Sequence, residues 1–182
     1  MFGKLCGAAA VLAGLSSVAH AAEPGATSMP TAVSALAGCW EGRGEVMGKA
    51  VAIAVNAYPI VHDAMLALEA ASSAINDPQD QYAAHLLFGG ASKSPGQAVD
   101  TIVGYWADSF GGAFAAPGRG ESRADGFDMT YLYPDASYVN QWRLSGDRLN
   151  WQIVARDGKG TEKPFARYTL HKTACRAATA SE

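Results

Sequence analysis

Alternation of apolar and polar residues, broken by short turns, runs through the C-terminal half of the chain. Residues 127–133, 138–144 and 149–155 place larger, mostly apolar side chains at every second position, and 168–171 repeat the pattern. A period of two puts these side chains on one face of a strand. Turn residues at 134–136, 145–147 and 157–160 separate the runs. The pattern predicts an antiparallel meander, which must pack on a second layer or close on itself to bury its apolar face.

The N-terminal half carries a weaker strand signal. Residues 39–47 and 49–56 predict a first hairpin, and 101–108 and 82–88 predict two further strands. Residues 61–75 fit two structures, because good helix formers with a helical stripe fill a stretch where a closed meander needs a strand. We favour the strand and leave the helix open.

The first 21 residues have the three parts of a secretory signal peptide. Lys4 supplies the positive charge, residues 5–15 form a short apolar run, and Ala19-His20-Ala21 is a small-x-small cleavage site. The alternative is an uncleaved membrane anchor, but the run is shorter than the roughly 18 apolar residues of a span. We therefore expect cleavage near Ala21, a periplasmic or secreted protein, and no transmembrane segment.

The composition indicates the domain organisation and limits the possible partners. We expect a flexible lead-in at 22–35, one domain at 36–176 and a loose tail at 177–182, since the lead-in and tail are small and polar. The formal charge of −3 gives no electrostatic footprint for nucleic acid. An apolar content of 49% is enough for one core. The sequence does not indicate an oligomeric state.

Two cysteines remain after cleavage, Cys39 and Cys175, because Cys6 leaves with the signal peptide. An even pair in an oxidising compartment predicts a disulfide, with free or intermolecular thiols as the alternative. The two residues lie at opposite ends of the ordered region, so a bond between them makes the first and last strands neighbours. The predicted fold is all-β: an antiparallel up-and-down barrel of 8–10 strands, with its first and last strands joined by a disulfide.

A register follows if the two cysteines face each other across antiparallel strands. Trp40 then lies opposite Ala174, and Trp40, Gly42 and Gly44 point inward. Lys172 also falls on the inner side, as the one misfit. Glycine inside a strand marks a sharp bend or close packing, and barrel corners need both.

Three motifs resemble those of known barrels. Residues 36–44, Leu-Ala-Gly-Cys-Trp-Glu-Gly-Arg-Gly, resemble the Gly-x-Trp opening of lipocalins and other calycin barrels. They are still more similar to the start of secreted bacterial lipocalin-like domains of unknown function and of nitrobindin-like haem barrels. Residues 104–109 and 146–151 are similar to the middle strand and the late hairpin of those bacterial domains. The resemblance implies a lipocalin-like barrel.

The same resemblance implies a structural role for the residues around Trp40. In lipocalins this tryptophan packs at the barrel base under an arginine from the last strand. Arg176 is the matching candidate, with Arg167 behind it. The structural positions are therefore Gly38, Trp40, Gly42, Gly44 and Arg176.

The histidines give little support for chemistry. Nitrobindin-like barrels hold haem through a late-strand histidine, which would be His171, but the predicted register points it outward. The chain also has Glu45-Val46-Met47 where that family has Tyr-Pro. His62 reads as a turn residue and His85 as a core or wall residue, and no pair has metal-ligand spacing. We predict no catalytic residue, metal or cofactor. A haem barrel and an enzyme acting on a lipid-like substrate stay as alternatives.

The aromatic residues of the alternating strands are the remaining signal. Pointing inward, they predict a pocket for a small hydrophobic or aromatic ligand, with tyrosine hydroxyls and Asn140 as polar anchors. The alternative is a filled core in a structural or interaction barrel. Ala50, Ala52 and Ala54 favour leftover space if they face inward, and Asp108 is the one carboxylate that looks inward. The predicted lining residues are Trp106, Met129, Tyr131, Tyr138, Asn140, Trp142, Trp151 and Tyr168.

Overall fold

The computed structural model describes residues 27–91 and 100–175. Its ten strands are all antiparallel and form one closed barrel. The predicted signal peptide, Arg176 and the predicted tail lie outside the described residues. The strands are β1 (Gly38–Val46), β2 (Lys49–Ile60), β3 (Met65–Ala74), β4 (Asp77–Gly90), β5 (Thr101–Asp108), β6 (Ala116–Arg123), β7 (Gly126–Leu132), β8 (Ala136–Ser145), β9 (Arg148–Asp157) and β10 (Glu162–Thr173).

Each strand pairs with its neighbours in the chain, and β1 pairs with β10 to close the barrel. This confirms the predicted up-and-down class and strand number. The ambiguous segment contains strand β3, so the strand interpretation was right and the helical one wrong. Leu66, Leu68 and Ala70 of β3 alternate toward the core and are buried in it.

Glycines let bulky rings lie flat on the inner wall. A Cβ on Gly118 of β6 would stand 2.5 Å from the Tyr131 ring of β7, and one on Gly44 would collide with the Tyr168 ring of β10. A Cβ on Gly42 would collide with the backbone of β10. No larger residue fits at these positions without moving a ring or a strand.

A short helix, α1 (Thr31–Ser34), covers one end of the barrel, which we call the base. Val33 and Leu36 are fully buried there, and Trp40 Nε1 donates a hydrogen bond of 2.8 Å to the Leu36 carbonyl. The end of the predicted flexible lead-in is therefore ordered, because Val33 contributes to the core. We call the opposite end, where β5 ends and β6 begins, the mouth.

The strands that meet at the closure differ in register from the prediction. Cys39 pairs with Thr173, and Trp40 pairs with Lys172 instead of Ala174. A slip of two residues leaves every side chain on its predicted face. Cys39 and Cys175 lie at disulfide distance, with Cα atoms 5.1 Å apart. No helix among the described residues is long and apolar enough to cross a bilayer.

Candidate functional site

A half-buried carboxylate lies at the mouth, at the last position of β5. Oδ2 of Asp108 accepts hydrogen bonds from Tyr82 Oη and from Trp106 Nε1, each at 3.1 Å. Its Oδ1 accepts the backbone N–H of Phe110 at 3.0 Å. Donors from β4, from β5 and from the turn that follows therefore fix this side chain in one orientation.

Phenols from other strands lie around the same carboxylate. Burial raises the pKa of Tyr133, which follows β7, and the charge of Asp108 raises it further. Burial is also the main cause of the raised pKa of Tyr82, to which Asp108 and Tyr168 add. Burial raises the pKa of Tyr168 to about 12. These phenols are neutral at ordinary pH, so Asp108 supplies the negative charge among them.

Two exposed phenylalanines extend the aromatic surface beyond the strands. Phe110 and Phe114 are 71% and 52% exposed, and their ring centroids are 6.1 Å apart. Phe110 also lies 5.8 Å from the Tyr82 ring, and Tyr133 Oη donates a 2.9 Å hydrogen bond to the Phe114 carbonyl. Exposed apolar groups that form a contiguous patch are characteristic of binding surfaces.

Below the mouth, aromatic rings fill the interior down to the base. Trp106 lies 6.1 Å from Trp151, which stacks on Trp142 at 4.1 Å. Phe127 stacks on Trp142 at 5.9 Å, and Tyr168 lies 4.9 Å from Trp151. The rings contact one another, so the lower barrel is a packed core whose upper members are Trp106 and Tyr168.

The eight predicted lining residues divide by burial. Trp106 and Tyr168 are 7% exposed, and Tyr138, which pairs with Tyr131 near the mouth, is half-buried. The other five are 2% exposed or less and form part of the packed interior: Met129, Tyr131, Asn140, Trp142 and Trp151.

The alanines of β2 were expected to leave space inside if they faced inward. Ala50, Ala52 and Ala54 instead face outward and are exposed. Val51 and Ile53, which alternate with them, take the inner positions because their larger side chains bury more apolar surface.

Three buried polar atoms in the interior have no hydrogen-bond partner within the described part of the chain. They are Tyr131 Oη, Asn140 Nδ2 and Trp142 Nε1. Asn140 uses its Oδ1 to accept a 2.9 Å bond from Trp151 Nε1. All three atoms can donate. Since buried polar groups are nearly always paired, they suit a small acceptor such as water or a ligand oxygen.

At the base, the cation over Trp40 comes from a residue that the resemblance did not single out. Lys172 Nζ lies 5.3 Å from the Trp40 ring centroid. Arg167, the second candidate, instead points outward and pairs with Glu45 at 2.9 Å. The expectation for Arg176 stays a prediction. The inward position of Lys172 in the predicted register was the signal for this contact.

The three histidines among the described residues are exposed and separate from one another. His62 lies in the β2–β3 turn, and His85 and His171 lie on the outer faces of β4 and β10. An outward His171 does not fit a haem held inside the barrel. Among residues 27–91 and 100–175, no three His, Cys, Asp or Glu side chains form a metal-binding group.

Two hollows lie outside the interior. One, of about 560 Å³, separates the segment around α1 from the β6–β7 turn, with Met29 and Arg123 in its lining. The other, of about 820 Å³, is an open groove across β1–β4, where Ala52, Ala54 and Ala71 are exposed. The second hollow reaches the mouth at Tyr82 and Ser109, but Asp108 lines neither of the two.

Comparison with solved structures places the barrel among known folds. No family model and no curated protein matches the sequence. The structure is similar to Rv2717c from M. tuberculosis, with a TM-score of 0.60, 15% identity, and coverage of 80% of this chain and 99% of that one. It is also similar to the S-type phycobiliprotein lyase CPES from Guillardia theta, with a TM-score of 0.56, 10% identity, and coverage of 79% and 92%. At these identities the likeness concerns the fold, and it is consistent with the lipocalin-like barrel that the sequence predicts.

Proposed function

We propose that this protein is an exported barrel that binds a small hydrophobic or aromatic ligand at its mouth. The ligand would rest against Trp106, Tyr138 and Tyr168, with Asp108 as a polar anchor. Tyr131, which pairs with Tyr138, would be a buried part of the wall, and Met129, Asn140, Trp142 and Trp151 would form the floor beneath it.

One observation carries the proposal: a fixed carboxylate lies among aromatic side chains at one end of the barrel. Binding sites for small molecules combine mostly apolar and aromatic walls with few, well-placed polar groups. The mouth has this composition. The likeness to a phycobiliprotein lyase supports a binding role at the level of the fold.

Export is the second part of the proposal. The charge, apolar run and cleavage pattern of residues 1–21 support it. The pair Cys39 and Cys175 at disulfide distance also supports it, because disulfides persist in oxidising compartments.

The test is titration of the exported protein with N-phenyl-1-naphthylamine, a neutral aromatic probe whose fluorescence rises in apolar sites. Trp106→Leu should weaken binding about tenfold, a loss of roughly 1.4 kcal/mol. Tyr105→Leu is the matched control, because Tyr105 precedes Trp106 on β5 and faces outward, 44% exposed. Equal loss in both variants, or no probe binding by the unmodified protein, would overturn the proposal.

The packed ring stack favours a second candidate, a structural or interaction barrel with a filled core. Trp142 stacked on Trp151, both almost fully buried, is the observation behind it. This candidate predicts that no small hydrophobic probe binds, and that Trp106→Leu changes stability alone.

A further inference from the structure

We propose that the mouth selects ligands carrying an organic cation, a protonated amine or quaternary ammonium attached to an apolar body. This inference rests on the proposed function and deepens it. The argument concerns Asp108 and the rings around it.

Hydrogen bonds hold the charge of Asp108, and no lysine or arginine of the described residues forms an ion pair with it. Its three hydrogen-bond donors within the described residues are a phenol, an indole N–H and a backbone N–H. Within residues 27–91 and 100–175, the ion pairs of lysine and arginine involve other carboxylates. A ligand cation would therefore meet a negative charge that no protein cation already occupies.

The surrounding rings suit the same kind of group. Tyr82 and Trp106 donate to Asp108 from the edges of their rings, and Phe110 donates through its backbone N–H, with its ring 5.8 Å from that of Tyr82. Their π-faces attract a cation within about 6 Å, and desolvation strengthens the attraction. A carboxylate with several aromatic rings is the arrangement that recognises alkylammonium groups.

The same geometry disfavours an anion. Tyr82, Tyr133 and Tyr168 have pKa values raised by burial, so these phenols stay neutral and add no compensating charge. An anionic head would approach Asp108 in a partly desolvated place, where like charges repel strongly.

A metal ion fits less well than an organic cation. Hard cations need several oxygen ligands, for example six to eight for calcium. The described residues hold no cluster of acidic and histidine side chains at the mouth or elsewhere. An organic cation needs no such shell, because its weakly hydrated methyl or methylene groups contact rings directly.

The test compares three small ligands of similar shape by isothermal titration calorimetry at constant ionic strength. They are benzyltrimethylammonium, its neutral isostere neopentylbenzene, and benzenesulfonate. We expect benzyltrimethylammonium to bind at least about tenfold more tightly than neopentylbenzene. Benzenesulfonate should bind most weakly.

The decisive variant is Asp108→Asn, which keeps an acceptor for Tyr82 and Trp106 but removes the charge and the acceptor of the Phe110 N–H. It should lower affinity for benzyltrimethylammonium about tenfold and leave neopentylbenzene within about twofold. Asp135→Asn is the matched control, since Asp135 is an exposed carboxylate at the same end of the barrel and lies outside the cluster. It should change neither affinity.

Phe110→Ala is a second variant that does not depend on the buried network, because its ring is 71% exposed. It should weaken cation binding and leave the circular dichroism spectrum unchanged. Equal affinity for the cation and its isostere, with no effect of Asp108→Asn, would overturn cation selection and leave the proposed function standing. Failure of all three ligands and of N-phenyl-1-naphthylamine would overturn both.

Discussion

Lys172 lies over the indole ring of Trp40, with its Nζ 5.3 Å from the ring centroid. The two residues are directly paired across β1 and β10, the strands that close the barrel. Trp40 is also tied to the base through its hydrogen bond to the Leu36 carbonyl. At the closure, Trp40 therefore contacts the Lys172 ammonium through its ring face and the Leu36 carbonyl through its indole N–H.

This contact predicts a measurable contribution to stability. Lys172→Ala should lower the free energy of unfolding by about 0.5–1 kcal/mol, the usual size of an exposed cation–π contact. Lys172→Arg should restore most of it, since arginine keeps the charge over the ring. Urea denaturation followed by circular dichroism measures both variants. An arginine variant as unstable as the alanine variant would show that the charge is not the cause.

The two cysteines predict that the barrel is sensitive to reduction. If Cys39 and Cys175 form a bond, it spans a sequence separation of 136 residues. Chain-entropy arguments give a stabilisation of up to about 5 kcal/mol for a loop of that length. The double variant Cys39→Ala with Cys175→Ala should unfold at much lower denaturant concentration than the oxidised protein. Reduced wild-type protein should match the variant; identical stability with and without reductant would contradict the disulfide.

The buried hydroxyl of Tyr131 predicts that its removal does not lower the stability of the fold. Tyr131→Phe removes a buried donor that has no partner within residues 27–91 and 100–175. It should therefore not destabilise the fold, and we expect the free energy of unfolding to rise by up to about 1 kcal/mol. Asn140→Leu is the contrasting variant, because it strands Trp151 Nε1 and should cost about 1–3 kcal/mol. Both are read by thermal unfolding. A clear loss of stability in Tyr131→Phe would mean that a bound water or another acceptor satisfies the hydroxyl.

Tyr168 predicts a loss of stability in strong alkali. Its pKa is about 12 in the folded protein and near 10 when unfolded. The unfolded chain releases its proton first, so the stabilisation is fully present below pH 10 and is lost as the pH rises toward 12. The loss from this group amounts to about 3 kcal/mol. Tyr168→Phe should flatten this part of the stability curve, and a curve unchanged by the substitution would contradict the assignment.

The sequence predicted the barrel well where strands alternate between an apolar and a polar face. In β2 the sequence did not show which face points inward, because Val51 and Ile53 alternate with Ala52 and Ala54, and both sets are apolar. β3 was ambiguous because its many alanines also favour a helix, and only pairing with β2 and β4 decides between them.

The mouth was only partly visible in the sequence. The sequence predicted that Asp108 points inward. It did not predict the partners of Asp108, because Tyr82 lies 26 residues before it and Phe110 belongs to the turn beyond the strand. No local pattern joins such positions, since the strand register brings them together. Alternation marks a core residue and a pocket wall alike, so it did not separate half-buried Tyr138 from Asn140 and Trp142 of the same strand, which lie in the packed interior.

The most direct test of ligand binding at the mouth is a ¹H–¹⁵N spectrum of the four tryptophan indole groups during titration with benzyltrimethylammonium or N-phenyl-1-naphthylamine. The account predicts that the Trp106 Nε1–H resonance shifts most, because this group donates to Asp108. The Trp40 resonance at the base should stay in place. Equal shifts of both, or a shift of Trp40 alone, would contradict a ligand site at the mouth.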